Sequence, residues 1–119
     1  MQILNNMDFI KEAINKNDIN IILYNCKKGI GKSSVDYFFY NINEPKKGYV
    51  YFLIKDEEVV YIGASSNRRR PGQHKKTKDY DCFYYLPFEN YEHWKVETKL
   101  IRNFKTKYNV CNVAKKHFA

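Results

Sequence analysis

The stretch that decides the fold is Gly48-Tyr49-Val50-Tyr51-Phe52-Leu53-Ile54-Lys55-Asp56-Glu57-Glu58-Val59-Val60-Tyr61-Ile62-Gly63. Tyr49 to Ile54 is β-branched and aromatic, Lys55 to Glu58 is polar, and Val59 to Ile62 is a second apolar run. Two such runs around a short polar turn predict a β-hairpin, here with a four-residue loop. Side chains alternate across a strand, so Tyr49 and Tyr51 fall on one face and Val50 on the other. Directly after the hairpin comes Asn67-Arg68-Arg69-Arg70-Pro71-Gly72-Gln73-His74, a burst of positive charge ending in a histidine.

The chain has 119 residues, enough for one domain with a modest core or a small domain with an extension. No run of about 18 apolar residues occurs and the N-terminus lacks a signal-peptide pattern, so a soluble intracellular protein is expected, in the cytoplasm or a nucleus. Cys26, Cys82 and Cys111 form neither a CxxC pair nor an even set, which predicts reduced, packed thiols.

The net charge of +8 is unevenly placed. Residues 1–45 carry five lysines against five acids, whereas 46–119 carry sixteen Lys and Arg against eight. Six of those cations, Arg68, Arg69, Arg70, Lys75, Lys76 and Lys78, lie within eleven residues. A charge run is commonly a solvated face. Concentrated beside two tyrosines, this one favours a polyanion, nucleic acid, over a merely solvated face, and no membrane partner is expected.

Residues 1–45 read as a helical N-terminal extension. Met7, Ile10, Ala13 and Ile14 recur at helical spacing, and Asn15 to Asp18 breaks the run. Asp18 can cap a second segment, Ile19 to Cys26, which reads equally as helix or strand. Ser33-Ser34-Val35-Asp36 opens a third helix, Val35 to Tyr40. Gly29-Ile30-Gly31-Lys32-Ser33 ends like a P-loop, but Cys26 stands where the first glycine is needed, so that reading fails. A helix-turn-helix over the same segment is opposed by its zero net charge and by Tyr37 to Tyr40 where base readers belong. Pro45 ends the extension, and 46–119 form the second unit.

Further on, Tyr80 to Pro87 reads as a third strand, and Asn90 can cap a helix over 91–105. On a helical wheel Tyr91, Trp94, Leu100, Ile101 and Phe104 form an apolar arc opposite Glu92, Lys95, Lys99 and Arg102. Glu97 falls near the centre of that arc. A carboxylate among core residues costs several kcal/mol unless it is paired or holds a metal. His93 and His117 read as ordinary.

Residues 48 to about 112 resemble the GIY-YIG nucleases. Gly48-Tyr49-Val50-Tyr51 stands where the first signature triplet sits, and Tyr61-Ile62-Gly63 matches the second. Arg70 and His74, four residues apart, resemble the arginine and histidine of the family's first helix. Glu97, followed after twelve residues by Asn109, resembles its metal-binding glutamate and late asparagine. Pro71-Gly72 between Arg70 and His74 departs from the pattern.

The resemblance implies an α+β domain, with a small antiparallel three-stranded sheet flanked by helices. It implies an endonuclease that hydrolyses DNA phosphodiester bonds using one Mg²⁺ or Mn²⁺ on Glu97 and no small-molecule cofactor. Tyr51, with Tyr61 nearby, would take the proton of the attacking water, for which cations or the metal must depress its pKa from about 10. Arg70 would hold the scissile phosphate and His74 would orient or relay a tyrosine proton. Tyr49, Gly63 and Asn109 would support the site, and Arg68, Arg69, Lys75, Lys76 and Lys78 would bind DNA. Tyr49 is the other candidate for the first tyrosine. The alternative is a catalytically inactive nucleic-acid-binding module that keeps the basic patch.

Overall fold

The computed structural model describes residues 6–29, 48–89 and 91–109. The expected helix over Val35 to Tyr40, the helix-turn-helix alternative, the boundary at Pro45, the cap at Asn90, Cys111 and His117 all lie outside the described residues. The elements are α1 (Asn6–Lys16), α2 (Asn20–Tyr24), β1 (Lys27–Lys28), β2 (Gly48–Lys55), β3 (Glu58–Ser65), α3 (Arg70–Gln73) running into a 3₁₀ turn (His74–Lys76), β4 (Cys82–Phe88) and α4 (His93–Asn103).

The hairpin forms where the sequence puts it, with a tighter turn than expected. Lys55 pairs with Glu58, leaving only Asp56 and Glu57 in the loop. Both take positive φ, 50° and 66°, as in a type I′ turn, whose twist matches that of the flanking strands. Neither residue is glycine, so the conformation is supported from outside. Asp81 accepts hydrogen bonds from the Asp56 amide and from Lys55 Nζ, each at 3.2 Å.

The sheet is antiparallel with strand order β1-β4-β2-β3, four strands rather than the expected three. The added strand is two residues long, Lys27 and Lys28 paired to Tyr85 and Tyr84. A two-residue strand of lysines has no periodicity to read, and it lay within a segment read as helical. Charged side chains on so short an edge also discourage pairing with another chain. β2 lies inside the sheet and is buried from Gly48 to Ile54, which is why it reads as a nearly unbroken apolar run.

Its two faces feed two cores. Val50, Phe52 and Ile54 join Ile62, Leu86, Phe88, Val96 and Leu100 on one side. Tyr49, Tyr51 and Leu53 join Val60, Tyr80, Phe83 and Tyr85 on the other. A β-bulge shifts the register between Leu53, opposite Tyr61, and Ile54, opposite Val59. Val60 is the extra residue, and so Val60 and Tyr61 both face the tyrosine layer.

α1 buries Ile10 and Ala13 in the core that holds Val96 and Leu100. It ends where Asn17 turns left-handed and Asp18 N reaches back to Ala13 O at 2.9 Å, a Schellman-type stop. The segment left open between helix and strand is the helix α2, entered through Asp18 Oδ1, which accepts from Asn20 N at 3.0 Å. Its Ile22 is fully buried in the same core.

α4 buries a different stripe from the one the wheel suggests. His93, Val96 and Leu100 face inward, while Tyr91 and Trp94 are 64% and 50% exposed. The two exposed aromatics drew the apparent arc around the axis. Glu97 consequently moves from the expected core centre to its margin, half-buried. His93 is not ordinary: it is fully buried, and a Cβ on Gly48 would come within 2.1 Å of its ring. That contact is what requires glycine at the start of β2. Of the described residues, no helix is long and apolar enough to cross a membrane.

Candidate active site

The site is built on the registered pair Tyr51 and Gly63, one on each strand of the hairpin. A methyl group at Gly63 would lie 2.4 Å from Tyr51 Cζ and 2.5 Å from its Oη. The absent side chain is therefore the space in which the Tyr51 phenol lies. From there Tyr51 Oη forms a 2.7 Å hydrogen bond with His74 Nε2, and both residues are almost fully buried. Tyr61, brought to this face beside the bulge, closes the group. Its ring centre is 4.8 Å from His74 and 6.1 Å from Tyr51.

His74 reaches this position through a loop stitched to the sheet. Ser65 Oγ accepts from Asn67 N at 2.8 Å, and Asn67 Oδ1 accepts from Arg69 N at 2.9 Å, a local turn before α3, whose N-cap is Arg69. Tyr49 donates its phenol to Asn67 O, so it anchors the loop while Tyr51 meets the histidine. Of the two phenols, Tyr51 is the one that meets His74, and Tyr49 bonds to the loop backbone.

Pro71 sits in the first turn of α3, where its missing N–H leaves no bond unmade. Its carbonyl accepts from Tyr80 Oη at 2.6 Å, and both Pro71 and Gly72 are buried. The departure from the family pattern is therefore absorbed within a four-residue helix. Arg70 remains exposed, donating from Nη1 to Gln73 Oε1 at 3.1 Å. Its charge is felt at Tyr49, Tyr51, Tyr61 and His74 alike, so it lies on their side.

Burial dominates the electrostatics. It raises the Tyr51 pKa well above that of a free phenol; Tyr61 and Glu97 push it the same way, and Arg70 opposes them. Tyr61 is raised as well, by burial first and then by Glu97. His74 is held down to about 3, by burial and then by Lys78 and Arg70. At neutral pH the pair is a neutral phenol sharing a proton with a neutral imidazole. The expectation that neighbouring cations depress Tyr51 is not met by the protein alone, because desolvation outweighs Arg70.

The charge of Glu97, half-buried on α4, raises the pKa of both Tyr51 and Tyr61. Asn109 lies across the outer edge of β3. Its Oδ1 accepts from Ile62 N at 2.6 Å and its Nδ2 donates to Ile62 O at 2.8 Å. One amide thus satisfies both backbone groups between Tyr61 and Gly63 and does what a further strand would do. Thr106, buried and hydrogen-bonded to Asn109 Oδ1, holds that amide in place.

The cationic residues divide. Arg68, Arg69 and Lys76 are exposed. Lys78 Nζ lies 4.7 Å over the Tyr61 ring, and Lys75 lies 4.1 Å over Tyr80 and donates to its carbonyl. Lys75 and Lys78 are thus partly structural. Sequence reasoning missed His93, Tyr80 and Thr106. Thr106 stands three residues before Asn109, a capping spacing that could have revealed it; for Tyr80 there was no local signal.

Among the described residues no group of three or more His, Cys, Asp or Glu side chains converges. Zinc, which takes three or four protein ligands, does not suit such a site. A single half-buried carboxylate does suit Mg²⁺, which retains much of its hydration shell. Glu97 fits that description. Comparison of the chain with family models, characterised proteins and solved structures gives no match in any of the three.

Proposed function

We propose that this chain is a metal-dependent DNA endonuclease, hydrolysing phosphodiester bonds through a GIY-YIG-type site. The observation that carries the reading is the buried hydrogen bond between Tyr51 and His74 with Tyr61 packed against both, where the charges of Arg70 and Glu97 are felt. The first four come from separate elements within 24 residues, and Glu97 arrives from a distant helix.

Each side chain has a task suited to its setting. Arg70 is exposed and permanently charged, so it can hold a phosphate and offset charge developing on it. Tyr51 can accept a proton from the attacking water while passing its own to His74 Nε2. That concerted transfer avoids the buried phenolate which desolvation opposes. His74 is neutral, but burial, Lys78 and Arg70 lower its proton affinity. An anionic phosphate at Arg70 would offset part of that and favour the transfer. Glu97 would hold Mg²⁺ or Mn²⁺, which supplies Lewis-acid stabilisation of the phosphoryl oxygens when bound. Asn109 and Gly63 keep β3 and the Tyr51 ring in register.

One observation favours a binding-only reading: burial keeps both Tyr51 and His74 neutral, as in a purely structural hydrogen bond. Nicking of supercoiled plasmid with Mg²⁺, Mn²⁺ or EDTA, beside Glu97→Ala, separates the two. The nuclease reading expects metal-dependent nicking that the variant lacks while still binding DNA. Binding without cleavage by the wild-type chain in either metal contradicts it.

A further inference from the structure

The chain's one tryptophan is half exposed, at 50%, on the helix that carries Glu97. Trp94 precedes Glu97 by one turn, about 60° around the axis and about 4.5 Å along it. It therefore flanks the carboxylate on the solvent side. Its indole lies 4.5 Å, centre to centre, from the fully buried His93 ring, tilted by 40° to it. Tyr91, 64% exposed, stands a further turn back. Lys95, Lys99 and Arg102 are exposed along the same helix, and Arg68 and Arg69 are exposed on the loop that delivers Arg70.

A half-exposed indole one turn from Glu97, on a chain of net charge +8, matches one ligand chemistry. Single-stranded nucleic acid offers a backbone of negative charge and bases whose faces are open for stacking. In a duplex those faces are already stacked and hidden, so an exposed indole gains nothing from them.

We propose that Trp94 stacks an unpaired nucleobase next to the phosphate held at Arg70, so that the substrate is DNA with a single-stranded segment at the cut. The placement beside the scissile phosphate rests on the nuclease reading; the stacking itself does not. Specificity arises from strand state, because every base presents a stackable face.

Because Trp94 is the only tryptophan, its own fluorescence reports the contact. The full chain is titrated in EDTA with a dT oligomer, with the same oligomer made abasic, and with a duplex of equal length. Strong quenching by the dT oligomer alone is expected. Trp94→Ala should weaken binding of a labelled dT oligomer about 5- to 100-fold and leave duplex binding unchanged, and Trp94→Phe should restore most of the loss. Equal quenching by duplex or abasic strand, or unaltered dT binding by Trp94→Ala, overturns the proposal. With metal added, quenching without cleavage refutes the nuclease reading and leaves stacking standing. Duplex cleavage without quenching does the reverse.

Discussion

The sharpest structural prediction concerns Gly63→Ala. The new methyl would meet Tyr51 Cζ at 2.4 Å, Tyr51 Oη at 2.5 Å and Tyr61 Cε2 at 2.8 Å. Carbon atoms rest about 3.5–4.0 Å apart, so the Tyr51 ring must withdraw by about 1 Å. No described glycine has positive φ, so the backbone itself tolerates alanine and the whole effect passes through the side chains. Overpacking of this kind costs about 1–3 kcal/mol. Withdrawal also breaks the 2.7 Å bond to His74 and strands two buried polar groups, for about 1–3 kcal/mol more. The total, about 2–6 kcal/mol, is a large part of a small domain's stability. Urea unfolding in a double-mutant cycle with Tyr51→Leu isolates the contact, because leucine has no atoms where Cζ and Oη lie. Gly63→Ala should cost about 2–6 kcal/mol in the parent and no more than about 1–3 kcal/mol beside Tyr51→Leu, where the 2.8 Å contact with Tyr61 Cε2 remains. An equal cost in both backgrounds would refute the role assigned to Gly63.

Two more predictions follow from the same geometry. Asn109→Ala removes both partners of the Ile62 backbone at a buried edge. It should destabilise the chain by about 2–4 kcal/mol and speed exchange of the Ile62 amide at least about tenfold, with an unchanged exchange rate counting against the clamp. His74 holds its folded pKa down at about 3 against an ordinary 6.5, so between those values the unfolded chain binds a proton that the native one refuses. Stability should therefore fall as pH drops through that window, by up to about 1.4 kcal/mol per unit, and its His74 component should be flat above it. Other carboxylates titrate there too, so the reading is the difference from His74→Phe, whose unfolding should show a shallower pH slope; identical slopes would refute it.

The sequence announced the parts of the fold that depend on local pattern. Tyr49 to Ile54 and Val59 to Ile62 made the hairpin legible, and Met7 to Ile14 made α1 legible, because period 2 and period 3.6 survive without tertiary context. What failed were features set by other parts of the chain. β1 exists only because β4 offers it an edge. The two-residue turn at Asp56 and Glu57 depends on Asp81, 25 residues away from Asp56. The α4 stripe was misjudged because Tyr91 and Trp94 look like core residues by composition, whereas the sheet covers His93, Val96 and Leu100. Signature spacing grouped Tyr51, Tyr61, Arg70 and His74, and the structure brings Tyr51, Tyr61 and His74 into contact. Spacing carried no information on whether burial or cations would govern the Tyr51 proton, since desolvation depends on what packs around it.

The central claim is that Tyr51 and His74 act on the scissile phosphate as one unit. Its most direct test is the single-turnover rate of DNA cleavage for Tyr51→Phe, His74→Phe and the double variant, with Mg²⁺ and saturating protein. Each single change should slow cleavage by about 100-fold or more, and the double should be no slower than the slower single. Losses that multiply in the double variant, or single variants that cut at the parent rate, would contradict the account.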